Sequence, residues 1–96
     1  MHNYKQLKVW EKAMELVADI YKTTVEFLKE QRYGLISQMR RSAVSIPYNI
    51  AEGAGRNSDK EFCHFLSYSH ASSFELETQL IVSEKLQLLS KDLCKD

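Results

Sequence analysis

The stretch SIPYNIAEG, residues 45–53, decides how this chain is read, because a proline and several small or polar residues sit inside what is otherwise one helical period. Placed at about 100° per residue, Leu35, Ile36, Met39, Ala43, Ile46 and Ile50 form an apolar stripe, and Arg41, Ser45, Tyr48, Asn49 and Glu52 gather nearly opposite. A helix over 35–53 follows from that division. Pro47 cannot donate to the carbonyl of Ala43 and crowds it, at a cost of about 3 kcal/mol in an unrelieved helix interior. A kink is therefore expected, with the hydroxyls of Ser42 or Ser45 compensating nearby backbone groups. Gly53, Ala54 and Gly55 are expected to end the helix, since glycine readily supplies a left-handed cap.

Upstream, Asn3 and Gln6 have capping-box spacing ahead of an amphipathic run, predicting a first helix over 5–28. Its apolar stripe is Leu7, Trp10, Ala13, Met14, Val17, Ile20, Tyr21, Thr24 and Leu28, and its other face mixes Lys8, Lys12, Glu15, Asp19, Lys22 and Glu26. A turn is expected from Lys29 to Gly34. Downstream, Ser58 and Glu61 start a third helix over 58–86. Its main stripe is Phe62, Phe65, Leu66, Ser69, Ser73, Leu76 and Leu80, while Cys63, Phe74, Ile81 and Leu88 point elsewhere and Tyr68, Ala71, Glu75, Val82 and Leu86 make a third surface. Such a helix is expected to be covered on more than one side, and Ser69, Ala71, Ser72 and Ser73 let a neighbour approach closely. A short fourth helix is expected from about residue 90. The whole chain, 1–96, reads as a single all-α domain.

The sequence of 96 residues is short enough that one core gives limited stability unless association adds buried area. Its 13 basic and 13 acidic residues balance, which argues against both a disordered chain and a strongly basic nucleic-acid binder. The balance is uneven, however: residues 1–60 carry 10 Lys or Arg against 7 Asp or Glu, a net +3, and residues 61–96 carry 3 against 6, a net −3. No apolar run approaches the roughly 20 residues that cross a bilayer, and no signal-peptide core opens the chain, so a cytoplasmic protein without membrane contact is expected. Cys63 and Cys94 are too far apart for a metal-binding pair, and His64 and His70 fall about 120° apart on a helix; no metal site and no cofactor are predicted.

Three segments, LKVWEKAMELV at 7–17, YGLISQMRRSAVSIPYNIAEGAGR at 33–56 and EFCHFLSYSHASSFELETQL at 61–80, resemble in order and spacing the four-helix-bundle or S23 family, the proteins of 23S ribosomal RNA intervening sequences. The resemblance covers nearly the entire chain. It implies an antiparallel up-down four-helix bundle, bacterial, commonly a ring-like homopentamer, with no established catalytic activity. Similar proteins, the accessory variability proteins of diversity-generating retroelements, bind nucleic acid and partner a reverse transcriptase. Where the family often has Ala-x-Gly-Ser, this chain reads Ser69, His70, Ala71, Ser72. The family's last helix is also longer, so the fourth helix here is expected to be short or truncated and Leu86, Leu88, Leu89 and Leu93 to meet a neighbouring subunit.

Catalysis has little support. Glu52, Glu75 and Glu77 lack a nucleophile, a histidine partner or a phosphate-binding glycine loop at usable spacing, and AEGAGR follows a helix rather than a strand. Ser45, Pro47, Asn49, Glu52, Gly53 and Glu75 are read instead as residues that shape the second helix and fix its register or subunit contacts. Nucleic-acid binding, with RNA favoured, rests on Arg32, Arg40, Arg41, Arg56 and Lys60 around the second helix and on Lys8 and Lys12 of the first, with Tyr33 and Tyr48 available for stacking. The competing class is an interaction scaffold or accessory subunit, for example for a reverse transcriptase.

Overall fold

The apolar period centred on residues 35–50 builds the middle helix of the molecule, and its neighbours lie on either side of it. The computed structural model describes residues 2–25 and 32–87, with all their side chains except those of Arg32 and Tyr33. A 3-10 turn, Tyr4–Gln6, leads into helix α1 (Lys8–Thr24). A π-helical turn, Arg32–Ile36, runs directly into α2 (Ser37–Ala54), and α3 (Asp59–Lys85) completes the described chain. Among the described residues there is no strand, so the fold is all-α. The predicted fourth helix lies outside the described residues.

Contacts between named residues set the topology. The His2 amide donates to the Ala54 carbonyl at 2.7 Å, while Arg40 reaches Thr24 at 2.9 Å, so α1 and α2 run antiparallel. Gly53 meets Phe62 and Phe65, Ser69 donates to the Ile46 carbonyl at 3.0 Å, the Ser45 and Ser72 hydroxyls are hydrogen-bonded, and Ser83 lies against Met39; α2 and α3 are therefore antiparallel too. Both outer helices pack chiefly on α2. The core is Ala13, Ile20, Ile36, Met39, Ala43, Ile46, Ile50 and Leu76, with Leu7, Trp10, Leu16, Val17, Leu35, Leu66 and Leu80 packed around it. Every member of the apolar stripe predicted for α2 is in that set.

Several local expectations need correcting. Asn3 accepts from the Lys5 amide at 3.3 Å and so caps the 3-10 turn, whereas α1 begins at Lys8 behind Leu7, which has no side-chain cap. Gly34 lies within the π-helical turn. α2 is continuous through Pro47, which is buried, and Ser45 donates to the Ser42 carbonyl at 3.2 Å while Asn49 donates to the Ser45 carbonyl at 2.8 Å. Gly53 does not stop α2. It lies one residue inside the helix end, and among the described residues no glycine has a positive φ. Its role is steric: a Cβ there would fall 2.7 Å from the Phe65 Cβ and 2.9 Å from the Phe62 Cδ1. The left-handed position is instead Gln87, at φ 60°, just beyond α3. Ser58 caps α3 as expected, accepting from the Glu61 amide at 3.2 Å.

Candidate nucleic-acid interface

Arg40 is positioned by hydroxyl, backbone and ring contacts rather than by a carboxylate. At the C-terminal end of α1, buried Thr24 folds its hydroxyl back to the Ile20 carbonyl at 2.8 Å and accepts from Arg40 Nε at 2.9 Å. A second Arg40 nitrogen donates to the Tyr21 carbonyl at 3.4 Å, and the guanidinium lies 4.5 Å from the Tyr21 ring centroid. A cation at a helix C-terminus complements the partial negative charge of the last carbonyls. Arg40 therefore ties α1 to α2 through neutral groups.

Arg41 is exposed on the next step of α2. With Arg40 it borders an open groove whose other walls are Tyr21, Ile36, Ser37, Val44, Ser45 and Tyr48. No acidic residue borders this groove, and neither arginine forms an ion pair with a described residue. Tyr48 is 63% exposed and also borders a second groove with Tyr4, Ala51, Glu52, Gly55 and Arg56. There the charge is internally matched: Arg56 pairs with Glu52 at 3.2 Å and lies 4.6 Å from the Phe65 ring. On the α3 side of Arg41 a third cleft is bounded by Gln38, Ser42, Ser45, Ser72, Glu75 and Gln79. The Gln79 side-chain carbonyl is buried in the protein without a hydrogen-bond partner.

Three of the basic residues predicted from sequence, Arg40, Arg41 and Arg56, thus share the outer side of α2 with Tyr48. The others do not join them. Lys8 and Lys12 sit about 140° and 180° around α1 from Tyr21, and Lys60 sits about 180° around α3 from buried Ser69. The side chain of Arg32 lies outside the described residues, as does that of Tyr33. Of the polar stripe, Ser45 is turned to Ser72 of α3, Asn49 to its own helix, and Glu52 to Arg56. Glu75 is exposed and borders the third cleft without an ion pair to Arg41. Sequence reasoning missed Tyr4, Tyr21 and Val44. Tyr21 fits the α1 apolar period and so reads as part of its apolar stripe; its place about 80° from Ala13, at the edge of that stripe, is the available signal.

Open grooves, the unopposed guanidinium groups of Arg40 and Arg41 and exposed tyrosines thus lie together on an all-α framework of three antiparallel helices. Among the described residues no group of three His, Cys, Asp or Glu side chains could hold a metal ion, and no helix is long and apolar enough to cross a membrane. The sequence model of the 23S rRNA-intervening sequence protein family matches residues 5–96, and the chain belongs to that family. No curated protein matches the chain.

Proposed function

We propose that this protein is a non-catalytic, self-associating RNA-binding protein of the cytoplasm that grips phosphate along the outer side of α2. The observation that carries this reading is the arginine pair, Arg40 and Arg41, bordering a groove with no carboxylate to neutralise it. Arginine binds phosphate through paired hydrogen bonds, and repetition around an oligomer multiplies a weak patch into a useful field. The family's link to intervening sequences of 23S ribosomal RNA favours RNA as the polymer.

Arg41 is the clean probe, because Arg40 also anchors α1. Fluorescence anisotropy with a labelled RNA should show affinity that falls steeply between low and physiological salt, as counterion release requires. Arg41→Glu should reduce affinity about tenfold or more at low salt and leave helicity unchanged. Affinity already absent at low salt would falsify this reading. A second reading, a scaffold for another protein such as a reverse transcriptase, draws on the exposed apolar residues of α3, Phe74 and Ile81. It predicts that Arg41→Glu leaves capture of that protein intact.

A further inference from the structure

The α1/α2 groove contains more than a phosphate clamp needs. A clamp for the backbone of a duplex requires cations and hydrogen-bond donors, whereas here Tyr21, Val44 and Tyr48 expose apolar surface between and beside the arginines. The rings and the Val44 methyl groups gain nothing from phosphate, which can engage only the tyrosine hydroxyls. In a duplex the base faces are covered by stacking, and the major groove of A-form RNA is too deep and narrow for side chains to enter. Bases that are unpaired offer π-faces to aromatic rings, and stacking of this kind tolerates any sequence.

Resting on the RNA-binding reading above, we propose that the site takes an unpaired strand, with Arg41 at the crest of α2 holding phosphate and Tyr48 stacking a base. Two features on either side of Arg41 point to a nucleobase. On the α1 side, Tyr48 stands 63% exposed at the junction of two grooves, where a planar ring can cover it from either one. On the α3 side, the cleft is bounded by polar residues, Gln38, Ser42, Ser72 and Glu75 among them. The exocyclic amine of an unpaired base is a donor that the exposed Glu75 carboxylate in this cleft can accept. Arg41 and Ser45 border both the aromatic groove and this polar cleft, so a strand crossing α2 meets stacking on one side and base-edge acceptors on the other.

The test compares a labelled single-stranded RNA 12-mer with the same sequence in a duplex, each titrated with the full chain at about 50 mM salt, a concentration at which phosphate contacts remain strong. The single strand should bind at least tenfold tighter. Tyr48→Ala should weaken it by about fivefold or more, and Tyr48→Phe, which keeps the ring, should restore it. Because Tyr48 is exposed, circular dichroism melts should not change with either variant. Equal affinity for both forms, with Tyr48→Ala silent and Arg41→Glu disabling both, would overturn the proposal while leaving RNA binding intact. Failure of both forms to bind would overturn the RNA-binding reading as well.

Discussion

Gly53 stands where α2 comes close to α3, and two opposing effects of adding a methyl group can be weighed there. In a helix, Gly→Ala ordinarily gains about 0.8–1 kcal/mol through backbone entropy. Against this, the new Cβ would lie 2.7 Å from the Phe65 Cβ, an atom fixed to its backbone, and 3.2 Å from the Phe62 carbonyl oxygen. Neither neighbour can swing aside, so overpacking of about 1–3 kcal/mol should win. Gly55 is the matched control: its φ of −82° suits any L-residue, and its nearest atom would be 3.7 Å away. Gly53→Ala should therefore lower the melting temperature, while Gly55→Ala leaves it unchanged or slightly raised. Equal melting temperatures for the two variants would show that α2 and α3 are not held at this spacing.

At the scale of the element, α2 is fixed on its α3 side by small hydroxyl residues that replace bulk with hydrogen bonds. Ser69 is buried and donates to the Ile46 carbonyl at 3.0 Å, immediately before Pro47, and Ser83 is buried against Met39 with its hydroxyl 2.8 Å from the Gln79 carbonyl. Ser69→Leu should cost about 2–3 kcal/mol, combining overpacking with loss of the bond, and Ser69→Ala about 1 kcal/mol. Urea denaturation midpoints give the order directly, and a neutral Ser69→Leu would contradict the close approach. This seam also marks what sequence reveals. The α2 stripe from Leu35 to Ile50 is legible because a helix packed between two others keeps a strict period. Ser69 and Ser72 are legible as small residues that allow contact, but their partners are not, because a serine on a helix has no period of its own. The same limit hides Arg40. Its partners Thr24 and Tyr21 lie on another helix, and only the folded register brings the guanidinium to them. Gly53 misleads for the opposite reason: a glycine at a helix end suggests a left-handed cap, while its missing Cβ matters only once α3 is in place.

For the whole molecule, the question is what covers the far side of α3. Cys63, Phe74 and Ile81 fall within about 20° of one another around that helix, away from the core. Phe74 is 56% and Ile81 50% exposed, a large outlay of apolar surface for a chain of 96 residues. Glu77 and Glu84 flank this stripe, so two such faces meeting each other would oppose like charges. A different surface for the stripe is on α1, where Val9, 53% exposed, lies beside a mixed-charge face of Lys8, Lys12, Glu15 and Asp19 on the side turned away from the groove. A contact between the α3 face of one copy and the α1 face of the next would be heterologous, and heterologous contacts propagate into closed rings when the rotation allows. Such a contact would use the side of α1 turned away from Tyr21 and leave the groove at Tyr48 open in every copy. Light scattering at micromolar concentration should accordingly give a mass that is a multiple of the 11.2 kDa chain. The double variant Phe74→Asp, Ile81→Asp should reduce it to 11.2 kDa while keeping helical circular dichroism. A wild-type chain that is already monomeric would rule out the ring, and an assembled double variant would move the contact to another face.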